Sequence, residues 1–348
     1  MSDLQIGLAV AGGLVLAAMV GHGAWSAYRH RPRQAVAPAG GEQMDGQQQI
    51  GAGIEPELDA TAFELAHFPL AAPESKPSLD ALIDVLASIA LEETVSGDAA
   101  LAAMPTTRRA GGKPFFIEGF NQVGEQWETP LAGQRYNAFQ AGVQLANRSG
   151  PLNDIEYSEF AMKTQAFCDA INGTPDFPEM REEVARAREL DQFAGEHDAQ
   201  LGFVLRARDA AWSPGYVQQN ASRLGFVAGV IPGRMVIPAS LPGLPAVLGL
   251  SFNTQAAMAD DPAQSAIREL VISLDVAQVD RKEQAFRRMC DAAGLLAESM
   301  GGVVTDDNGI QLSLAAMEQI GSELELLYDR LDQRDLSAGS AVARRLFS

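Results

Sequence analysis

The hydrophobic and polar positions divide the chain into three parts. An uncharged apolar run extends from Leu4 to Ala24 and is long enough to span a bilayer as a helix, which needs roughly 20 residues. From residue 34 to about 78 the chain is rich in Ala, Gly, Pro and Gln and has no lasting apolar period, which is typical of a flexible linker. From Leu79 onward, strand-like and helix-like patterns alternate, so we expect folded structure there.

The charges that flank the apolar run predict its orientation. Asp3 carries the only side-chain charge before it, whereas three arginines follow it (Arg29, Arg31 and Arg33). The positive-inside rule then places the N-terminus outside and the rest of the chain in the cytoplasm. A cleaved signal peptide is the alternative, but it needs a basic N-terminal region and a small-residue cleavage site, and this sequence has neither. We therefore expect an uncleaved anchor in residues 1–28.

The linker is expected over residues 29–78 and contains one more apolar piece. This piece is FELAHFPLAAP, from Phe63 to Pro73. It either docks on the folded part of the chain or forms a disordered, sticky segment. The sequence leaves both alternatives open.

Residues 79–197 predict one α+β module. Apolar runs predict strands at 82–91, 115–120 and within 136–146, although the first run is short enough to be a helix instead. A short helix is expected from 97 to 104. Two longer helices follow, from Tyr157 to Ile171 with apolar positions at i, i+3 and i+4, and from Met180 to Glu196.

The same order of elements then starts again. Strands are expected at 200–206, in GRMVIP from Gly233, at 245–252, at 270–276 and at 301–304. Helices are expected after Ser213, from 286 to 300, and after Ser313, with both serines as N-caps. The repeated order reflects either an internal duplication or the common order of open α/β sandwiches. Both predict an α+β fold of the split β-α-β type, with a mostly antiparallel sheet and helices on one face.

Composition restricts the classes of partner. The chain has 348 residues, is 47% apolar and carries a formal net charge of −19. An acidic surface repels phosphate backbones, which disfavours nucleic-acid binding. The two cysteines, Cys168 and Cys290, fall on apolar helix faces, as buried thiols of a reducing compartment do.

The sequence offers no constellation typical of catalysis. None of the four histidines has a neighbour at metal-ligand spacing, and the glycines of GGVVTDDNG precede a strand rather than the helix that a phosphate-binding loop requires. Asp306 to Gly309 lacks the alternating oxygen ligands of a calcium loop and predicts a turn with Asx hydrogen bonds. We therefore expect no enzyme, no cofactor and no metal.

A binding surface on the sheet is the more promising feature. Alternation in Leu201, Phe203 and Leu205, and again in Met235 and Ile237, places large apolar side chains on one strand face. If that face is the open one, it is an exposed apolar patch of the kind that marks a partner site. The alternative is that these side chains point into the core beneath the helices.

Several runs in residues 198–348 are distinctive. They are LGF at Leu224, GRMVIP at Gly233, PAVLGL at Pro245, QAF at Gln284 and AESMGGVVTDD ending at Asp307. Together these runs resemble the C-terminal FtsZ-binding domain of the ZipA family of bacterial cell-division membrane proteins. The junction HGAWSAYRHR at His22 is similar to the end of that family's membrane helix. Residues 79–197 have no apparent counterpart and would be an added or duplicated module.

The resemblance implies a shallow apolar groove on the open sheet face that binds the C-terminal tail of FtsZ. Carried over by position, the groove residues are Leu201, Phe203, Met235, Ile237, Ser251, Phe252, Asn253 and Ser273. Ser273 stands where the family has a large aromatic residue and Asn253 where it has a methionine, which Phe252 could replace after a slip of one residue. Such a slip would invert every side chain of the strand.

The expected function is that of a non-enzymatic adaptor in the bacterial inner membrane. A single N-terminal helix would hold it there, with the N-terminus periplasmic and the body cytoplasmic, and the body would link FtsZ polymers to the membrane. The alternative is a membrane-anchored structural protein of the division machinery that binds itself or another partner. An RNA-binding sheet is a third possibility, but the chain lacks the stacking aromatic residues and basic rim that such sheets use.

Overall fold

The computed structural model describes residues 33–34, 79–259 and 265–348. In these ranges the protein is an α+β structure with antiparallel sheets, as predicted. The predicted anchor and the apolar piece of the linker lie outside the described residues. Within them, no helix combines the length and the hydropathy that crossing a bilayer requires.

The described chain forms two compact units. The first unit consists of residues 79–145 and 151–188, and the second consists of residues 33–34, 146–150 and 189–348 without the undescribed 260–264. The division falls inside a helix, upstream of the boundary at 197/198 that the sequence suggested.

The strands up to residue 176 belong to one six-stranded sheet and a two-stranded ribbon. The sheet has the order β2-β3-β5-β1-β8, with β4 paired to β3, and its neighbours are antiparallel. The strands are β1 (Asp84–Ser96), β2 (Arg109–Ala110), β3 (Lys113–Asn121), β4 (Gln126–Glu128), β5 (Arg135–Gln144), β6 (Ala146–Asn147), β7 (Gly150–Pro151) and β8 (Gly173–Asp176). β6 and β7 form the ribbon.

The second unit contains another six-stranded antiparallel sheet, with the order β10-β11-β12-β13-β9-β14. Its strands are β9 (Gln200–Ala207), β10 (Val227–Ala228), β11 (Arg234–Ile237), β12 (Leu248–Phe252), β13 (Glu269–Asp275) and β14 (Gly302–Thr305).

The helices include every one that the sequence predicted from Leu79 onward. They are α1 (Gly97–Ala103), α2 (Asp154–Ile171), α3 (Met180–His197), α4 (Pro214–Ser222), α5 (Thr254–Ala257), α6 (Ala285–Met300), α7 (Leu314–Asp332) and α8 (Ala341–Leu346). The predicted caps are confirmed, since the hydroxyl groups of Ser213 and Ser313 accept backbone N–H groups of the first turns of α4 and α7.

The two sheets have the same core topology. In the first unit, β1 lies between β5, which precedes the long helix α2, and β8, which follows it. In the second unit, β9 lies between β13, which precedes the long helix α6, and β14, which follows it. An antiparallel partner adjoins the strand before the long helix in both, β3 next to β5 and β12 next to β13. The repeated order of elements is therefore also a repeated arrangement in space.

Aromatic side chains fix the long helix of the first unit to its sheet. The ring of Phe115 on β3 meets Phe160 of α2 edge-on at 5.9 Å, and Phe139 on β5 meets Phe167 at 5.3 Å. These rings are buried, so alternate residues of the same strands lie on the opposite face of the sheet.

Arg33 is bound to the second unit. Its backbone N–H donates to the carbonyl of Ala211 at 2.7 Å, and its own carbonyl accepts the N–H of Ser213 at 2.9 Å. Its guanidinium donates to the carbonyl of Met300 at 2.6 Å, a carbonyl that the buried indole of Trp212 shares at 2.9 Å. The chain thus has a fixed point inside residues 29–78, the range predicted to be the linker.

Both cysteines lie on helix faces that pack inward, as predicted. Cys168 of α2 is buried and Cys290 of α6 is half-buried. Burial raises the pKa of each thiol to about 11, and a neighbouring aspartate adds to the effect. Neither thiol is therefore an activated nucleophile at neutral pH.

We expect the folded protein to react slowly with thiol reagents. At pH 7.5 the alkylation of Cys168 by iodoacetamide should be at least ~100-fold slower than in urea, because the unfolded thiol returns to a pKa near 8.5. The rate in the folded protein should rise as the pH approaches 11, where the buried thiol ionises. Mass spectrometry of peptides from native and urea-treated protein measures this, and equal rates would contradict the burial.

Candidate functional site

The second sheet has one face covered by a helix and one open face. The ring of Phe203 on β9 meets that of Phe286 on α6 at 6.1 Å, which places alternate β9 residues beneath this helix. Strand pairing extends the covered face from β9 to β13 and β12, since Phe203 lies opposite Ile272 and Ile272 lies opposite Leu250. All three are nearly fully buried.

Five of the eight predicted groove residues lie on this covered face. Phe203, Met235, Ile237 and Phe252 are between 3% and 7% exposed, and Leu201 is partly exposed. Of the two alternatives left open by the alternation, the structure supports the one in which these side chains point into the core. The prediction that these five side chains line an exposed groove is therefore corrected. The side chains on the open face are those one residue away along each strand, because successive side chains point to opposite faces.

The other three predicted residues are exposed or partly exposed. Ser273 of β13 and Ser251 of β12 lie on the open face. Asn253 follows β12, and its side-chain oxygen accepts the N–H of Ala256 as the N-cap of α5. The structure thus brings the two serines together on one surface and gives Asn253 a local structural contact.

Two rows of side chains form the open face of the second sheet. The first row consists of Val227, Val236, Gly249, Ser273 and Gly202. The second begins with Arg234, Ser251 and Val271 and ends in Val204 and Thr305, which are buried at 6% and 3% exposure. Valine supplies the apolar surface, and glycine and serine keep the middle low. We call this surface the valine trough.

The floor of the trough is set by a close approach of two strands. A Cβ atom on Gly249 would lie 2.6 Å from the hydroxyl oxygen of Ser273, so a larger residue at 249 would displace that hydroxyl. At Gly202 the nearest atoms to such a Cβ are a carboxylate oxygen of Asp307 and a methyl group of Val271, both beyond 3.6 Å. The open face can therefore receive a partner's side chains above its middle.

The rim of the trough carries both signs of charge. Arg234 is exposed at one side. Arg206 of β9 lies opposite Glu269 of β13, and the two form a loose ion pair with 3.8 Å between the guanidinium Nε and a carboxylate oxygen. Exposed pairs of this kind contribute little to stability but set the orientation of a charged partner.

The predicted turn at Asp306 is confirmed. Its carboxylate accepts the N–H of Ile310 at 2.7 Å, and its carbonyl accepts the N–H of Gly309 at 3.0 Å. Throughout the described ranges, no three His, Cys, Asp or Glu side chains converge as a metal ion would require.

Comparison with known families gives one match on the second unit. Residues 254–323 match the family described as ZipA, C-terminal FtsZ-binding domain. The resemblance to the ZipA family is confirmed. The matched region contains β13, α6 and β14 and ends within α7. Val271, Ser273 and Thr305 of the trough therefore lie inside it, and strands β9 to β12 lie outside it.

The remaining comparisons add no functional information. No curated protein sequence matches the chain. A solved structure of berberine bridge enzyme from Eschscholzia californica aligns at 10% identity over 74% of this chain and 53% of that chain, with a TM-score of 0.16. The chain thus spans about half the length of that structure, and an alignment this weak carries no argument about fold or function.

Sequence reasoning missed the valines of the trough. Val236 and Val271 sit between larger apolar residues, and a run such as Leu270-Val271-Ile272 gives no sign of which neighbour points outward. The usable signal was the small or polar residue in the alternate positions, Gly249 and Ser251 on β12 and Ser273 on β13. Side chains of that kind mark the face that is not packed under a helix.

We expect Phe203→Ala to reduce stability rather than to remove a binding contact. Loss of a buried ring against Phe286 should lower the free energy of unfolding by about 3–5 kcal/mol. Val123→Ala, at a side chain that is 86% exposed, is the control and should change it by less than ~0.5 kcal/mol. Urea titration followed by circular dichroism measures both, and an unchanged midpoint for Phe203→Ala would place this ring outside the core.

Proposed function

We propose that this protein is a membrane-tethered cell-division adaptor that binds the C-terminal tail of FtsZ on the valine trough. The observation that carries the proposal is the match of residues 254–323 to an FtsZ-binding domain, which includes the strand bearing Val271 and Ser273. Support comes from the open apolar face on the same sheet. An apolar peptide helix can lie in such a groove, with affinity from apolar contacts and orientation from rim charge.

The shape of the trough suggests modest affinity for one peptide. Gly249, Ser251 and Ser273 offer little apolar area, and burial contributes only ~25 cal/mol per Å². Many copies on a membrane facing a polymer of FtsZ would compensate through multivalency. The proposed role is therefore that of a non-enzymatic linker without a cofactor.

The membrane part of the proposal rests on the sequence. The uncharged run from Leu4 to Ala24 and the arginines after it support a single helix in the bacterial inner membrane, with a periplasmic N-terminus and a cytoplasmic body. Because Arg33 is bonded to the second unit, only residues 25–32 would separate the helix from a fixed point of that unit. At ~3.5 Å per extended residue this spacer would reach at most ~28 Å.

We further propose that the two units arose by duplication of one split β-α-β domain. The equivalent placement of β1 and β9, each flanked by the strands before and after a long helix, supports this. The first unit would then be a diverged copy.

The second candidate function is that of a structural protein that binds itself or another division protein. The absence of a large aromatic residue at Ser273 favours it, because the trough is then a weaker peptide site than the family's groove. The two functions differ in whether an FtsZ tail peptide binds.

We expect Val271→Asp to abolish most of the binding of a labelled FtsZ tail peptide. A carboxylate in the middle of the trough must be desolvated against an apolar peptide, so the Kd should rise at least ~10-fold. Val123→Asp is the matched control, since it makes the same change at an exposed turn of the first unit. Fluorescence anisotropy with the full chain in detergent measures the Kd, and equal affinities for Val271→Asp and the unaltered chain would contradict the trough as the site.

Ser273→Phe should strengthen the same binding. The exposed serine faces Gly249, so an aromatic ring there has space and adds apolar area to the peptide site. About 60 Å² of additional buried surface would lower the Kd by roughly tenfold. The same anisotropy titration measures it, with Ser273→Thr as the control for loss of the serine. Unchanged affinity for the phenylalanine variant would show that the peptide does not cross this position.

A further inference from the structure

The open face of the first sheet is aromatic, unlike the valine trough. Phe120 of β3 lies opposite Trp127 of β4, with the rings edge-to-face at 5.4 Å, and both side chains are partly exposed. Register continues this row to Ala138 on β5 and Ala90 on β1, which leave open space beside the rings. We call this surface the aromatic face. It lies opposite the face that α2 covers, since Phe115 and Phe139 point to α2.

The chain enters the described structure on the aromatic face. The side chain of Leu79 lies so close over Gly142 of β5 that a Cβ atom there would clash with it. Gly142 lies opposite Phe116 on β3, and that row belongs to the same face as Phe120. Leu79 is 6% exposed, so it is packed on this surface rather than passing beside it.

The direction of the chain is also set. The backbone N–H of Leu79 donates to a carboxylate oxygen of Glu118, which lies on the aromatic face one row nearer to Phe120 than Gly142 does. After Leu79 the chain turns, with the N–H groups of Ile83 and Asp84 donating to the carbonyl of Asp80, and starts β1. The backbone N–H of Leu79 therefore points to the side of the face that carries Phe120 and Trp127.

We propose that the apolar segment from Phe63 to Pro73 docks on the aromatic face. Phe68 and Leu70, the apolar pair nearer to Leu79, are two residues apart, so both side chains of an extended segment would point to the sheet. Phe63 and Leu65 form a second such pair, which is one residue out of phase and would need a bend at Pro69 or before it to face the same way. Residues 74–78 connect it to Leu79 and span up to ~17 Å when extended. The distance along β5 from Gly142 to Ala138 is about 13 Å, so the segment can reach the rings.

Docking of this segment on the aromatic face is independent of the FtsZ binding proposed for the valine trough. The proposed occupant is a segment of this chain because Leu79 already lies on the face and the segment precedes Leu79 by only five residues. An FtsZ peptide or a second copy of the chain could also contact aromatic rings, and the experiment distinguishes these occupants.

The test is a pair of cysteines in the full-length protein, Phe68→Cys with Ala138→Cys. Oxidation should give an intramolecular disulfide, identified by mass spectrometry of the linked peptides and by a monomeric band on a non-reducing gel. The native thiols are poor competitors because burial raises the pKa of both to about 11. The control pair is Phe68→Cys with Ser273→Cys, an exposed position on the valine trough, and should give at least tenfold less linkage.

A second measurement does not depend on disulfide geometry. In a chain with Ala138→Cys alone, maleimide labelling should be at least fivefold slower than in the same chain with Phe63→Ser, Phe68→Ser and Leu70→Ser. Labelling of Ser273→Cys should be equal in both backgrounds. Equal labelling at position 138, a linkage that forms only between two chains, or protection that requires added FtsZ peptide would each overturn the proposal.

Discussion

Burial of one sheet face beneath a long helix is the constraint on which the rest of the second unit depends. The contact of Phe203 with Phe286 orients β9, and hydrogen-bonded register then orients β13, β12 and β11 in turn. Once the large apolar residues are committed to the helix side, every alternate residue is committed to the open side. Packing of the covered face against α6 therefore determines which side chains form the candidate binding surface on the opposite face.

The two units show how one topology can present different surfaces. Both place the first strand between the strands that precede and follow a long helix, and both bury rings or aliphatic chains under that helix. Their open faces differ in chemistry, with Phe120 and Trp127 on the first sheet and valine, glycine and serine on the second. Residues on an open face are not held by core packing, so they can change without altering the fold.

The sequence predicted the elements well because their signals are local. Period-two runs, helical spacing and the caps at Ser213 and Ser313 identified the principal strands and helices within a few residues. Short elements such as β8, with the sequence Gly-Thr-Pro-Asp, were missed because they carry no apolar pattern and exist only through pairing with β1. Local signals also could not show which side chains of each strand point to the covered face and which to the open face. Leu270-Val271-Ile272 is apolar throughout, and only packing against α6 decides that Val271 points outward.

The small residues of the valine trough also affect how an adaptor of this kind could work. A trough floored by Gly249 and Ser273 has limited apolar area, so a single peptide bound there would dissociate quickly, and attachment to a polymer would need many copies at one surface. Effective concentration depends on how far each copy can move from the surface. In a chain tethered by residues 4–24, the hydrogen bonds of Arg33 to Ala211, Ser213 and Met300 would shorten that distance, because they tie the chain to the second unit before most of the linker has begun. If the helix at residues 4–24 is in the membrane, a short spacer would raise the effective concentration of the trough at the membrane surface. This higher concentration would compensate for weak binding of each single peptide.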